Sequence, residues 1–210
     1  MACCGTAVLP QEHRPGTHSY FRCNKQVCVG RYHSYRLLPA LPHDAAFELN
    51  DLLVKERGVP RAQAEAMSAR TTSRAARVGL TYNLDKVIAT NTRTAHRLIH
   101  FAGSQGKQHE MVERLFRAYF TDGLHVGNLD VLADLAAEIG LERDGAREIL
   151  DSDAYGNDFD NDIELARQLA ITGVPFFVFD GKYAVSGAQP VDTFTQALST
   201  TWQEHRHARA

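Results

Sequence analysis

The cysteines carry the most reactive side chains of this sequence, and all four lie near its beginning. They are Cys3, Cys4, Cys23 and Cys28. Two neighbouring thiols can exchange with a disulfide, because a thiolate attacks one sulfur and the second thiol resolves the mixed disulfide. No cysteine lies downstream of these four, so the sequence excludes a structural disulfide framework for the main body of the chain.

The spacing of the cysteines is unusual for a redox pair, since the sequence contains no Cys-x-x-Cys. The first two are adjacent, and adjacent cysteines close only a strained disulfide. The last two have four residues between them. A metal site that adds His18 and His33 to the last two is an alternative, but the ligand spacing is not regular. We therefore expect incidental thiols and no metal, and we keep the cysteines as weak catalytic candidates.

A proline opens a short apolar segment near the end of the chain, in the sequence Thr-Gly-Val-Pro of residues 172–175. Proline cannot donate to a sheet ladder, so its place at the head of a strand is unusual. A cis bond between Val174 and Pro175 would turn the N–H and C=O of Val174 outward, where an extended peptide could pair with them. An ordinary trans proline that begins an edge strand explains the local sequence equally well.

Helical spacing of apolar residues dominates the middle of the chain. It predicts helices over 45–57 and 61–76, and then around 95–102, 111–119, 132–139, 146–150 and 159–170. A strand around 27–37 precedes this block, and a hairpin with Asp180 and Gly181 at its turn follows it. A last helix begins at Pro190. Its apolar positions are Phe194, Leu198 and Trp202. Residues 1–28 have no such period, and we expect them to be irregular.

Length and charge suit one soluble domain that binds neither nucleic acid nor a membrane. The 210 residues carry a formal net charge of -2 with acids and bases intermixed, so no basic surface is indicated. No apolar run approaches the ~20 residues that span a bilayer. The start of the chain shows no secretory signal pattern. We therefore expect a cytoplasmic location, where cysteines stay reduced unless they are catalytic, redox-sensing or metal-bound.

Two groups of titratable residues have structural interpretations. His96 lies among helical apolar residues, so we favour a core or helix-surface histidine over one that faces an active-site groove. An acidic cluster comprises Asp151, Asp153, Asp158, Asp160 and Asp162. It lacks the glycine and the final glutamate of a calcium-binding loop. We expect it to be solvated at the start of a helix, where the helix dipole favours acids.

Several segments taken together resemble the FrnE-like branch of the DsbA family. Residues 173–179 read Gly-Val-Pro-Phe-Phe-Val-Phe, and residues 182–190 read Lys-Tyr-Ala-Val-Ser-Gly-Ala-Gln-Pro. Residues 77–83, 91–98 and 115–120 resemble the same branch. The order and spacing of these segments agree with the family from residue 31 to residue 204.

The resemblance implies an α/β, thioredoxin-like fold with a large helical insertion. Residues 29–43 and 159–204 would form the thioredoxin-like core, residues 44–158 the inserted helical domain, and residues 205–210 a tail. The resemblance also implies a cis bond before Pro175 and thiol–disulfide exchange on a disulfide-containing or extended polypeptide. The residues that we expect to bind this substrate are Val174, Pro175, Ser186, Gly187 and Gln189.

The sequence departs from the family at its beginning. The family starts with a strand and then places Cys-x-x-Cys at the N-terminus of the first helix, where the helix dipole lowers the thiol pKa. We expect this first strand and helix to be missing or altered here, as a frame error or a wrongly assigned start would cause. The missing strand would lie centrally in the sheet. We therefore expect poor stability or aggregation unless residues 5–9 or 17–21 supply a substitute strand.

Three functions fit these observations. The first is a DsbA-family thiol–disulfide oxidoreductase whose redox cysteine pair is absent from this chain. The second is a glutathione-dependent isomerase of the 2-hydroxychromene-2-carboxylate isomerase type, which needs no cysteine pair and would use glutathione as its only cofactor. The third is a non-catalytic thioredoxin-fold module that binds extended peptides.

Overall fold

A four-stranded sheet lies at the centre of the computed structural model, which describes residues 5–9, 20–23 and 26–207, with side chains described for 30–204 and 206. Its strands are β1 (Gly5–Leu9), β4 (Arg31–Tyr35), β7 (Phe176–Phe179) and β8 (Tyr183–Ser186). They are arranged in the order β4-β1-β7-β8. The strand predicted around 27–37 and the hairpin predicted after residue 174 are therefore both present.

The central position of the sheet is occupied by β1, where we expected irregular chain. Gly5 is opposite Tyr35 in an antiparallel pairing with β4, and Ala7 is opposite Phe176 in a parallel pairing with β7. A strand–helix–strand unit would make the first two core strands parallel. Here the described part of the connection is a hairpin of β2 (Tyr20–Cys23) and β3 (Gln26–Val29). The first strand is therefore altered in direction rather than missing, and residues 5–9 supply the substitute.

Helices fill the chain between the two halves of the sheet. They are α1 (Leu49–Arg57), α2 (Arg61–Ala76), α3 (Arg93–Ser104), α4 (Gln108–Arg117), α5 (Leu129–Glu138), α6 (Arg143–Asp151) and α7 (Gly156–Gln168), with α8 (Val191–His207) after the hairpin. Asn128 begins α5 by accepting hydrogen bonds from the backbone N–H groups of Asp130 and Val131. A π-helical turn, Ala118–Asp122, extends α4. This order matches the predicted block of helices.

A two-stranded sheet besides the β2–β3 hairpin was not predicted from the sequence. It pairs β5 (Ala46–Glu48) with β6 (Ile88–Thr90), and Phe47 lies opposite Ala89. Each strand has only three residues, too few for an alternation of apolar and polar positions to be recognised. The predicted helix over 45–57 therefore begins later, at Leu49.

The main hydrophobic core lies within the helical block. Its largest fully buried aliphatic side chains are Leu98, Met111, Leu115, Leu132 and Leu135. Each such side chain stabilises the folded state by roughly 1.5–3 kcal/mol through its removal from water. None of the described helices combines the length and the apolar character that crossing a bilayer requires.

The last helix, α8, packs less closely than its sequence predicts. Phe194 contacts Phe177 edge to face, with ring centroids 4.8 Å apart, but Trp202 remains 39% exposed. Among the described elements, β7 and β8 make the main contacts with α8. The part of the chain that the structure describes before β4 contains no helix.

The side-chain amide of Gln108 joins the helical block to the sheet. Its Oε1 accepts from the backbone N–H of Tyr32 at 3.1 Å, and its Nε2 donates to the carbonyl oxygen of Tyr32 at 3.0 Å. These two bonds satisfy the backbone groups of Tyr32 on the outer side of the edge strand β4, as a neighbouring strand would. The insertion therefore fixes β4, which carries His33 and Ser34.

Candidate functional site

The residues predicted to bind substrate lie together at one end of the β7–β8 hairpin. The backbone N–H of Gly187 donates to the carbonyl oxygen of Pro175 at 2.8 Å. Ser186 is opposite Phe176 in the sheet, and Gln189 Nε2 donates to the carbonyl oxygen of Ser186 at 2.8 Å. The loop before β7 and the loop after β8 therefore form one surface.

Backbone conformation explains why this sequence forms that surface. The Val174–Pro175 peptide bond is cis, and Gly187 adopts a φ of 80°, which favours glycine. At the opposite end of the hairpin, Asp180 and Gly181 both have positive φ, as in a type I′ turn. Pro175 is exposed and Val174 half-buried, so a polypeptide can reach the surface.

The cysteine candidates divide into two groups. Cys3 and Cys4 lie outside the described residues. Cys23 and Cys28 belong to the β2–β3 hairpin, where Cys23 is opposite Gln26 and Cys28 is opposite Phe21. Diagonal positions of this kind are roughly 7–8 Å apart, whereas disulfide-bonded cysteines have Cα atoms about 4.4–6.8 Å apart. This register does not hold Cys23 and Cys28 as a bridged pair.

Among the side chains that the structure describes, no three His, Cys, Asp or Glu are grouped to hold a metal ion, and the side chains of Cys23 and Cys28 are not among those described. His18 lies outside the described residues. His33 instead belongs to a different group of buried polar side chains.

That group is centred on Asp162 of α7. His33 Nδ1 lies 2.5 Å from Asp162 Oδ1, and the backbone N–H of Ser34 donates to Oδ2 at 2.6 Å. His100 Nε2 of α3 lies 3.1 Å from Asp162 Oδ2 and 3.1 Å from Ser34 Oγ. All four residues are buried. The carboxylate therefore ties α3 and α7 to strand β4 of the sheet.

The hydrogen bonds to Asp162 determine its ionisation. Burial raises the pKa of this carboxyl, but the bonds from His100, His33 and the Ser34 backbone stabilise the charged form more strongly. The pKa of Asp162 is consequently held well below its usual range. The carboxylate at the centre of the group is therefore ionised.

The arrangement is not that of a hydrolytic Ser–His–Asp triad. In such a triad one ring nitrogen binds the serine and the other binds the carboxylate. His100 uses the same nitrogen, Nε2, toward both Ser34 and Asp162. His33, by contrast, uses Nδ1 toward Asp162, while its Nε2 is buried and has no hydrogen-bond partner.

The burial of Asp162 shows that one prediction was wrong, because we expected its side chain to be solvated like those of the other four aspartates. It is only 6% exposed. Phe159, Asp162 and Ala166 follow one another at helical spacing and are all buried, whereas Asp158 and Asp160 are exposed. The signal in the sequence was this spacing, which places Asp162 on the apolar side of α7.

His96 is a core histidine, as we favoured. It is 1% exposed, and its ring packs against that of Phe159 with centroids 5.7 Å apart. Burial, and to a smaller extent the nearby His100, lowers the pKa of His96 to about 4, so the ring is neutral at physiological pH.

Comparison with known proteins agrees with this architecture. The DSBA-like thioredoxin domain model matches residues 19–199. A probable DsbA oxidoreductase from Streptomyces coelicolor superimposes with a TM-score of 0.77 and 34% identity, over 82% of this chain and 74% of that structure. A 2-hydroxychromene-2-carboxylate isomerase superimposes with a TM-score of 0.56 and 16% identity, over 78% and 82% of the two chains, which is similarity of fold alone.

A curated relative matches a smaller part of the chain. The uncharacterized protein YwbO of Bacillus subtilis (strain 168) is 34% identical over 101 residues, which are 48% of this chain and 50% of that protein. The match thus spans half the length of this relative. The predicted thioredoxin-like fold with a helical insertion is confirmed by the family match and the Streptomyces structure. The chain belongs to the family of DSBA-like thioredoxin domains.

Proposed function

We propose that this chain binds an extended, disulfide-containing polypeptide, as the substrate-binding scaffold of a DsbA-family thiol–disulfide oxidoreductase. The observation that carries the proposal is the 2.8 Å hydrogen bond between the Gly187 N–H and the Pro175 carbonyl oxygen. This bond holds the Val174–Pro175 loop and the Ser186–Gln189 loop as one surface. Val174 lies two residues before the first paired residue of β7, Phe176, so a peptide strand that pairs with its backbone would extend the sheet.

The chemistry that this scaffold serves is thiol–disulfide exchange. A thiolate attacks one sulfur of the substrate disulfide, that S–S bond breaks, and the other sulfur leaves as a thiolate. A second thiolate then breaks the mixed disulfide and releases the first product. We propose that the cysteines of this chain do not carry out these steps. The absence of Cys-x-x-Cys and the offset register of Cys23 and Cys28 support this view.

A glutathione-dependent isomerase is the alternative, and similarity of fold to the 2-hydroxychromene-2-carboxylate isomerase supports it. Retention on immobilised glutathione and isomerase turnover would favour this alternative over polypeptide binding. The FrnE-like branch, the cytoplasmic location and the absence of nucleic-acid partners remain predictions from the sequence.

Pairing with the peptide backbone can be tested with two peptides of identical side chains. In one peptide every second backbone amide is N-methylated, so its N–H groups cannot pair with the sheet. Serine replaces cysteine in both peptides, which removes any covalent step. We expect the unmodified peptide to bind and the N-methylated one to bind at least tenfold more weakly. Equal affinities would contradict strand addition, and no binding of either would contradict the proposal.

A further inference from the structure

The exposed side of α2 carries an arginine row, which consists of Arg70, Arg74 and Arg77. All three residues are exposed, and their spacing at i, i+4 and i+7 places them on one face of the helix. Their side chains form no hydrogen bond or ion pair with any residue that the structure describes. The helix dipole favours cations in the last turn of α2, but Arg70 lies a turn earlier. The row is therefore free to bind an anionic partner.

Charges elsewhere in the helical block are arranged differently. Arg114 binds Glu138 and Arg143 binds Asp134, each at 2.7 Å. Residues 66–84, by contrast, contain no Asp or Glu. The intermixed charges of the whole sequence indicated no basic surface, yet this segment forms a local one because its arginines share one helix face.

Two exposed apolar side chains follow the arginine row directly. Val78 is 73% exposed and Leu80 is 50% exposed. The turn that carries them is held by its backbone, since the N–H of Leu80 donates to the carbonyl oxygen of Ala75 at 3.0 Å. Gly79 has the positive φ that this way of ending a helix requires. A partner that covers Val78 and Leu80 would gain by removing them from water.

We propose that the arginine row, together with Val78 and Leu80, docks an acidic helical segment of another protein. Carboxylates at i, i+4 and i+7 of a partner helix would repeat the spacing of the row and pair with it. Apolar side chains beyond those carboxylates would cover Val78 and Leu80. The exposed positions beside the row are alanine or serine, so a second helix can approach closely; they are residues 62, 66, 69, 73 and 76.

The charges and the size of this face favour such a partner over two other occupants. A two-fold axis would place the face against the same face of a second copy. The only acid of α2 is Glu65, which already binds Arg61 at 2.9 Å, so a second α2 offers the row no free carboxylate. An anionic membrane is disfavoured because Val78 and Leu80 are far smaller than the apolar face of an interfacial helix.

The experiment measures how synthetic helical peptides bind to the whole chain. One peptide carries glutamates at i, i+4 and i+7 followed by two leucines, and a second carries the leucines before the glutamates, because a partner helix can run in either direction. In the matched peptides glutamine replaces each glutamate. We expect one acidic peptide to bind at least about tenfold more tightly than its glutamine counterpart. This preference should disappear at ~1 M salt.

Variants of the chain show where the peptide binds. Replacing all three arginines of the row with glutamine should abolish the preference for glutamate, and the fold should persist because these side chains have no partner in it. Arg57→Gln changes an exposed arginine of α1 outside this face and should retain the preference. Val78→Ser combined with Leu80→Ser should weaken binding of the acidic peptide about fivefold.

Several results would overturn the proposal. Equal affinity of the acidic and glutamine peptides, or no binding of either, would do so. A preference for glutamate that survives loss of the arginine row would also do so. If vesicles of phosphatidylglycerol and phosphatidylcholine bind through the row and the peptides do not, the occupant is a lipid surface. Dimerisation in sedimentation equilibrium that requires the row would instead identify a second copy. All these outcomes are independent of the polypeptide site at Val174.

Discussion

The backbone N–H of Gly187 donates to the carbonyl oxygen of Pro175 across 2.8 Å, although twelve positions of a hairpin separate the two residues. The bond closes the hairpin end that faces away from the Asp180–Gly181 turn. The bond therefore holds together the two loops that carry all five predicted substrate-binding residues. Replacing either partner should change how the surface receives a polypeptide.

Gly187→Ala should weaken peptide binding roughly fivefold, because a side chain is strained at a φ of 80° by about 1 kcal/mol and the loop relaxes away from Pro175. Gly181→Ala is the matched control, since Gly181 also has a positive φ and open space around its Cα. Both variants should lose similar stability in urea unfolding, but only the first should bind less. Equal loss of binding in both would indicate a general effect of destabilising the hairpin.

Asp162→Asn should lower the free energy of unfolding by about 3–5 kcal/mol, because the neutral amide keeps only one acceptor oxygen and its NH₂ group faces buried donors that the second carboxylate oxygen now binds. Asp160→Asn is the control, since Asp160 pairs with Arg93 at the surface and should cost at most about 1 kcal/mol. Urea unfolding at pH 7 measures both.

The cost of Asp162→Asn should also depend on pH. The pKa of Asp162 is lower in the folded state than its value in the unfolded chain, so its ionisation stabilises the fold above about pH 4. That stabilisation is lost as the pH falls further, and the difference between wild type and variant should shrink. A cost that is constant down to pH 2 would show that the carboxylate charge is not what the group requires.

The burial of His96 predicts that stability also depends on pH over a second, higher pH range. Its pKa is about 4 in the folded state and 6.5 in the unfolded chain, so the unfolded state binds the proton first. Stability should therefore fall as the pH decreases from 6.5 to 4, by up to about 3 kcal/mol from this residue. The profile of His96→Leu should lack this part of the slope, and that of His109→Leu should keep it. Parallel profiles for all three proteins would contradict a buried, neutral His96.

Local features of the fold could be read from the sequence, because their causes lie within a few residues. The Asp180–Gly181 turn has the backbone that a type I′ hairpin requires, and Asn128 caps α5 through its own neighbouring N–H groups. The place of Pro175 at the head of β7 was visible in the same way. Each of these signals is a residue type with a specific conformational preference.

The buried polar group could not be predicted, because its members come from distant parts of the chain. His33 and Asp162 are 129 residues apart, and Ser34 and His100 are 66 residues apart. Only the three-dimensional packing of α3 and α7 against β4 brings them together. The sequence named residues 5–9 as a possible substitute strand but not its direction, because these residues gain strand structure by filling a place between β4 and β7.

We propose that this chain binds a polypeptide but that its own cysteines do not carry out thiol–disulfide exchange. The most direct test of this proposal is the dithiothreitol-driven reduction of insulin. The purified chain is compared with a variant in which Cys3, Cys4, Cys23 and Cys28 are all serine. We expect insulin to be reduced at the same rate with either protein as with dithiothreitol alone. We also expect both proteins to bind the unmodified peptide. Acceleration by the wild type that the variant lacks would contradict this expectation, and would show that these cysteines form a working redox pair.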